Sequence, residues 1–199
     1  MSQWIITPDK YLTAEELSSL RRVCEDNAII AISRGNQSSV RDRLIIEMAL
    51  GTGLRVSELC SLRIENINLK RGQNSLLVKN GKGNKDRLVA FSSNLKNLIG
   101  DYLNYRSSES PFLFPSERGD KMTRHGISKV FKKLALKASL PSHFSIHSLR
   151  HTYATNLYKA SGYNLRLVQK QLGHSSITTT SVYSDVISDD LEKAVEKLN

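Results

Sequence analysis

Four short segments of the sequence carry the residue types that chemistry on a phosphate group requires. They are Gly51–Leu59, Gly81–Arg87, His147–Thr152 and Leu172–Tyr183. A nucleophile that attacks a phosphodiester is repelled by its negative charge, and more negative charge develops on the non-bridging oxygens in the transition state. Guanidinium groups suit this task because they stay charged and can bind two oxygens at once. Arginines in these segments could therefore bind a phosphate.

The same segments offer a nucleophile and groups that can move protons. His147 lies three residues before Arg150 on a predicted helix, so the two side chains are expected on one face. An imidazole with a pKa of about 6.5 suits proton transfer near neutral pH. Tyr183 follows His174 by nine residues and offers a phenol, of which about one in a thousand is ionised at pH 7. Lowering the pKa of the phenol to about 7 is worth about 4 kcal/mol. Nearby cations and a histidine acceptor could supply this stabilisation.

Together and in this order, the four segments resemble the tyrosine recombinase family, also called the phage integrase family. The resemblance runs from about Tyr11 to Ile187. It implies two clamp arginines, two histidines, a general-acid lysine, a nucleophilic tyrosine and a supporting glutamate, which are Arg55, Arg150, His147, His174, Lys82, Tyr183 and Glu58. Lys82 is preferred as the acid over its neighbours Lys79 and Lys85.

The resemblance implies site-specific recombination of DNA by transesterification. Tyr183 would attack a backbone phosphate to form a 3′-phosphotyrosyl link, and the released 5′ hydroxyl would then attack the phosphotyrosine of a partner strand. The covalent link retains the bond energy, so neither a cofactor nor a metal is expected. The expected partners are double-stranded DNA, a homotetramer on paired sites and an accessory DNA-binding protein, and the free chain is expected to be a monomer. Type IB topoisomerase activity and DNA binding without cleavage are the alternatives.

Charge and a group of basic side chains indicate further contacts with nucleic acid. The 199 residues carry a formal net charge of +10, which favours a polyanionic partner. Arg124 and His125 open a predicted helix that continues to Lys129, and a helix N-terminus beside cations suits phosphate binding. Lys85 in the glycine-rich turn is a further candidate. A solvated surface position is the alternative for these lysines and for Glu58.

The elements that must position these residues begin with three predicted helices. The first opens with a capping box at Thr13–Glu16. The second is expected over about 39–50 and the third over 56–62. Gly51 and Gly53 are expected to stop the second helix, so the first clamp arginine would follow a glycine turn.

The rest of the chain is predicted to form a small sheet and then further helices. Short apolar runs between glycine turns over about 64–91 predict three antiparallel strands. Helices are expected over 94–106, 123–138, 147–160, 164–172 and 188–198. Cys24 and Cys60 lie in helical patterns and are expected to be reduced core residues. The predicted fold is α+β and mainly helical, as the resemblance to tyrosine recombinase catalytic domains implies.

One catalytic domain over 1–199 is expected, without the N-terminal core-binding domain that most members of the family carry. The chain is similar in this to short bacterial recombinases that invert DNA segments. An apolar stripe over 185–199 predicts a tail helix, packed in a neighbouring protomer or on its own domain. The N-terminus does not read as a signal peptide and the apolar runs are too short for a membrane span, which favours the cytoplasm. His147 and His151 lack the glutamate of a zinc-protease pattern.

Overall fold

The computed structural model describes residues 8–70, 72–79 and 86–173, and helices supply most of this part of the chain. Three helices come before the sheet, namely α1 Ala14–Ser33, α2 Gln37–Thr52 and α3 Val56–Ser61. Four follow it, namely α4 Ser93–Tyr105, α5 Arg124–Lys137, α6 Ile146–Ala160 and α7 Leu165–Leu172. The predicted fold class, mainly helical with a small sheet, is confirmed.

An antiparallel sheet lies between α3 and α4 in the chain. Its strands are β1 Ile67–Asn68, β2 Ser75–Val78 and β3 Arg87–Ala90, in the order β1-β2-β3. Leu76 in the central strand pairs with Ile67 on one side and with Val89 on the other. Leu76 and Val89 are almost completely buried, so this face of the sheet belongs to the core.

The first strand is shorter than the apolar run in the sequence predicted, because the segment before β1 pairs with the loop after α4. Ile64–Asn66 forms a 3₁₀ turn. The backbone N–H of Ile64 donates to the carbonyl of Pro111 at 2.9 Å, and that of Leu113 donates to the carbonyl of Leu62 at 2.8 Å. A non-local pairing with the loop after α4 thus takes the place of a longer β1.

The helix α2 runs through Gly51, so the prediction that it stops there is wrong. A Cβ on Gly51 would lie only 2.7 Å from Cδ2 of Leu95, so the missing side chain allows close approach of α4. The helix ends at Gly53, whose φ of 62° is the left-handed conformation common at helix C-termini. It also begins before the predicted position, because the side chain of Asn36 caps it by accepting from the N–H of Ser38 at 2.8 Å.

The hydrophobic core gathers around α2, against which α1, α4 and α6 pack. Ile45 and Met48 of α2 and Leu149 of α6 are fully buried. Cys24 and Cys60 are buried free thiols, as predicted. Burial raises the pKa of Cys24 to about 12, so this thiol stays protonated and serves packing.

Among the residues that the structure describes, no helix combines the length and the apolar composition needed to cross a bilayer.

Candidate active site

Arg150 is the most deeply buried of the predicted site residues that the structure describes. It lies on α6 and is only 8% exposed. Its Nη1 donates to the carbonyl oxygen of Gly53, and its Nη2 donates to that of Leu172 at 3.0 Å. These carbonyls stand at the C-terminal ends of α2 and α7, where the helix dipole places partial negative charge. Two helix ends therefore compensate the buried charge of the guanidinium.

Two glycines bring these helix ends within reach of Arg150. Gly53 and Gly173 both adopt left-handed backbone conformations, with φ of 62° and 66°. A Cβ on Gly53 would overlap the ring of Tyr153 and would lie 2.7 Å from Cδ2 of Leu172. Gly53, where the sequence predicted a helix stop, thus has a defined structural role beside Arg150.

Arg55 lies immediately before α3 and is held by Glu58. The Arg55 Nη1 lies 3.0 Å from Oε1 of Glu58, and its backbone N–H donates to Oε2 at 2.8 Å. The Arg55 side chain remains 26% exposed, whereas that of Glu58 is 9% exposed. The Glu58 carboxylate thus holds a guanidinium that still reaches solvent.

Arg87 of β3 holds the same carboxylate from the other side. Its Nη1 and Nη2 donate to Oε1 and Oε2 of Glu58 at 2.8 and 2.9 Å. Burial alone would raise the pKa of Glu58, but hydrogen bonds from Arg87 and the Arg55 backbone, together with both charges, lower it to about 2. Glu58 is therefore a permanent anion at neutral pH.

His147 is exposed on the first turn of α6. It borders a cleft of about 260 Å³ lined by Asp9, Lys10, His143, Ser145, Ser148 and His151. Burial, and then the positive charge of Arg150, lower the pKa of His151 to about 4, so His151 is neutral at pH 7. Within the described residues, no group of His, Cys, Asp or Glu side chains is arranged to hold a metal ion.

Three of the residues predicted to contact nucleic acid lie on α5. Arg124, His125 and Lys129 are all exposed, and Thr123 caps this helix by accepting from the N–H of Gly126 at 3.0 Å. The helix packs against α3, the helix that follows Arg55. These three side chains are thus on an element next to the arginine site.

Several predicted residues lie outside the described part of the chain. They are Lys82, Lys85, His174, Tyr183 and the segment 185–199. Of the predicted catalytic set, the structure places Arg55, His147 and Arg150. Arg150 binds the carbonyl of Gly53, two residues before Arg55, so the two clamp arginines belong to one connected network.

Two other tyrosines, Tyr102 on α4 and Tyr153 on α6, are poor candidates for a nucleophile. Burial raises the pKa of Tyr102, and it also raises that of Tyr153 even though Gln171 and Arg150 oppose the change. An activated phenol needs the opposite shift. Tyr153 instead packs beside α7 in a small apolar cluster, so both side chains serve the core.

The sequence did not reveal the role of Arg87, although it lies in one of the four motifs. The sequence of β3 does not alternate between polar and apolar residues, and the two sides of the strand are distinguished only in the structure, where Val89 is buried and Leu88 is 66% exposed. Arg87 shares the inward side with Val89, since side chains alternate along a strand. An arginine at a core-facing strand position needs a partner for its charge, and here that partner is Glu58.

The fold and its arginines define a class of domain: mainly helical, with a small sheet, one arginine held by the ends of two helices and a second held by a carboxylate. The chain belongs to the phage integrase family, whose model matches residues 10–189. The family resemblance inferred from the four motifs is therefore confirmed.

Similar curated proteins are named tyrosine recombinases. XerA of Pyrococcus furiosus is 37% identical over 196 residues, which cover 97% of this chain and 63% of that protein. XerC of Vibrio cholerae is 36% identical over 182 residues, which cover 89% of this chain and 54% of that protein. The chain thus spans between half and two thirds of the length of these relatives.

Solved structures of recombinases share the fold. The crystal structure of XerA recombinase has a TM-score of 0.77 at 25% identity, with 100% of this chain and 65% of that chain covered. XerH site-specific recombinase, in a post-cleavage complex with a palindromic difH substrate, also has a TM-score of 0.77, at 29% identity, with 93% and 52% covered.

Proposed function

We propose that this chain is the catalytic part of a site-specific DNA recombinase that cleaves and rejoins strands through a 3′-phosphotyrosyl link to Tyr183. The observation that carries the proposal is the network that fixes Arg55 and Arg150 from separate helices. Arg150 is held by the ends of α2 and α7, and Arg55 is held by Glu58. Family membership and the recombinase names of the relatives support the same function.

The two arginines neutralise charge on the phosphate. Guanidinium groups held in place before the reaction need no reorganisation when negative charge develops on the non-bridging oxygens. Removing one such donor typically costs about 3–4 kcal/mol of transition-state stabilisation. Arg55, which retains exposure to solvent, is suited to direct contact with the phosphate.

The bond changes of the cleavage step balance without an external reactant. The Tyr183 Oη forms a bond to phosphorus while the bond from phosphorus to the deoxyribose 5′ oxygen breaks. His147 takes the phenolic proton, His174 supplies a hydrogen bond to the phosphate, and Lys82 gives a proton to the departing 5′ oxygen. Attack of a 5′ hydroxyl on the phosphotyrosine reverses these changes and reseals the strand.

Double-stranded DNA is the proposed substrate, with contacts beyond the reacting phosphate. Arg124 and Lys129 supply cations and His125 a further hydrogen-bonding group in the first turns of α5, where a helix N-terminus favours an anion. Lys85 is a further proposed contact. A homotetramer on paired sites carries out strand exchange, with 185–199 packing between protomers. Affinity for a single duplex should fall steeply with salt, because each neutralised phosphate releases counterions.

The test is trapping of the covalent intermediate on nicked suicide duplexes tiled from the source genome. The wild-type chain is expected to form a protein–DNA adduct that survives a denaturing gel, and Tyr183→Phe is expected to abolish it. Tyr163→Phe is a matched control, because Tyr163 is 46% exposed and loses the same hydroxyl. An adduct that persists in Tyr183→Phe contradicts the assignment, and relaxation of supercoiled DNA without a recombinant product indicates a topoisomerase instead.

A further inference from the structure

We propose that Arg87 is a positioning residue for DNA cleavage: it holds Glu58, and through Glu58 it sets the position of the Arg55 guanidinium. This inference rests on the proposed function. Arg87 is not in the catalytic set that the family resemblance implies, and it contacts a carboxylate, which places its action one step away from the phosphate.

The pairing of Arg87 with Glu58 leaves the carboxylate little freedom. Both Nη atoms of Arg87 donate to the two carboxylate oxygens at 2.8 and 2.9 Å, and this forked geometry fixes direction as well as distance. The Arg87 side chain is 12% exposed and that of Glu58 is 9% exposed, so water competes weakly. Oε1 of Glu58 also lies 3.0 Å from Nη1 of Arg55. The position of Arg55 therefore follows from that of Glu58.

Arg87 is itself held between the sheet and the end of α7. Its backbone pairs with Val78 at the start of β3. A Cβ on Gly173 would lie 2.6 Å from Cδ and 2.7 Å from Nε of Arg87, so the side chain lies directly against the backbone of the α7 C-cap. Its Nε is buried, and among the described residues it has no hydrogen-bond partner. Arg87 thus joins β3, the Arg55 turn and the segment that leads to His174.

The charges around Glu58 explain why a single arginine would not suffice. The charged groups that face its carboxylate are Arg55 at the start of α3 and Arg87 on β3. Arg63 and Lys79 border the adjoining cleft. Without Arg87, Arg55 would be the principal counterion of a largely buried carboxylate whose direction is no longer fixed. The Arg55 guanidinium would then lose the position in which it faces a phosphate.

The experiment compares Arg87→Met, Arg87→Lys, Glu58→Gln and the double variant Glu58→Gln with Arg87→Met. Arg43→Met is the matched control, because it also removes one charge and one ion pair. Arg43 lies 3.0 Å from Glu25, and 26% of its side chain is exposed. Single-turnover rates of adduct formation and Kd for duplex DNA are measured for each. Thermal unfolding shows which variants are folded at the assay temperature.

Arg87→Met is expected to slow adduct formation by about 100-fold, the size of effect that a misplaced catalytic group produces. Its Kd should change no more than that of Arg43→Met. Arg87→Lys should recover about tenfold of the loss, since an ammonium keeps the charge but cannot form the fork. In the Glu58→Gln background, Arg87→Met should cost less than about threefold, because coupled residues are not additive.

The pH profile gives a second readout that a merely structural role would not change. Loss of Arg87 lets burial raise the pKa of Glu58, and a protonated Glu58 releases Arg55. The rate of Arg87→Met relative to wild type should therefore fall further as the pH is lowered from about 7 to 5.

The outcomes separate this inference from the proposed function. Absence of an adduct with the wild-type chain overturns the proposed function and this role with it. If the wild-type chain forms an adduct and Arg87→Met forms it as fast as Arg43→Met does, only the role of Arg87 is overturned. The same conclusion follows if Arg87→Met slows adduct formation as much in the Glu58→Gln background as in the wild type. If Arg87→Met is unfolded at the assay temperature, Arg87→Lys with and without Glu58→Gln supplies the same comparison.

Discussion

Arg150 and Arg55 are proposed to act on the same phosphate, yet the protein holds them in opposite ways. Arg150 is 8% exposed and donates to backbone carbonyls at the ends of two helices. The side chain of Arg55 is 26% exposed and is held by one carboxylate, which a third arginine also binds. One guanidinium is part of the core, and the other stands at its edge.

Because their partners differ, the two arginines are sensitive to different changes in the protein. Backbone carbonyls do not titrate and cannot be removed by substitution, so the site of Arg150 depends on backbone conformation at Gly53 and Gly173. A carboxylate does titrate, so the site of Arg55 depends on the ionisation of Glu58 and on its neighbours. Substitutions on the Arg150 side should therefore affect folding strongly, whereas those on the Arg55 side should affect catalysis and pH dependence more.

The largest effect is expected from Arg150→Lys. An ammonium cannot reach both carbonyls at once, so one helix end would lose its charged partner in a buried place. The free energy of unfolding should drop by about 2–4 kcal/mol, and adduct formation should slow by about 100- to 1,000-fold. Urea denaturation and the suicide-substrate assay measure the two effects.

Arg124→Lys is the control for stability. Because Arg124 is exposed, this substitution should change the free energy of unfolding by less than about 0.5 kcal/mol. If Arg150→Lys is as stable as this control, the two backbone hydrogen bonds do not hold the helix ends together.

Gly53→Ala is expected to show the next largest effect, and Gly35→Ala separates its causes. Both glycines are left-handed, with φ of 62° and 66°, so alanine adds backbone strain of about 1–2 kcal/mol at each. A Cβ at Gly53 would also overlap the ring of Tyr153, whereas one at Gly35 meets nothing within 4 Å. Gly53→Ala should therefore lower the free energy of unfolding by about 2–4 kcal/mol, and equal losses in the two variants would contradict the packing role of Gly53.

The same contrast shows how far the sequence could predict the structure. Local signals located α5, α6 and α7 to within one residue at each end, because caps, glycine stops and apolar spacing act within a few residues. The continuation of α2 through Gly51 depends on contact with Leu95, and the pairing of Arg87 with Glu58 joins residues 29 apart in the chain. These are properties of the packed fold.

The candidate site divides in the same way. The motifs and the family resemblance named Arg55, Arg150 and Glu58, because their types and order are distinctive. The burial of Arg150 could not be read from the sequence, since an arginine in a helical pattern is ordinarily exposed. Its enclosure requires two helix ends from distant segments to meet the guanidinium.

An effect of similar size at neutral pH is expected from Glu58→Gln, and it should depend on pH. The pKa of Glu58 is lowered from 4.5 to about 2, so its ion pairs stabilise the fold above pH 4.5, and this contribution is lost as the pH falls toward 2. The contribution is on the order of 3 kcal/mol. Unfolding measured between about pH 6 and 2 should show this slope in the wild type and a shallower one in Glu58→Gln, and identical slopes would contradict the pairing.

The smallest effect is expected from Gln171→Ala, which tests whether α7 is held by Arg150 or by the sheet. The Gln171 Nε2 donates to the carbonyl of Ala90 at 2.6 Å, and the N–H of Ala90 donates to Oε1 at 3.3 Å, so the amide ties α7 to the edge of β3. Both hydrogen bonds are exposed, and exposed bonds contribute about 1 kcal/mol or less. Gln171→Ala should therefore cost about that much in unfolding free energy, against a neutral Lys170→Ala on the same helix. If Gln171→Ala instead lowers the free energy of unfolding as much as Gly53→Ala does, the sheet positions the end of α7. The hydrogen bond from Arg150 to the carbonyl of Leu172 would then be a consequence of that contact.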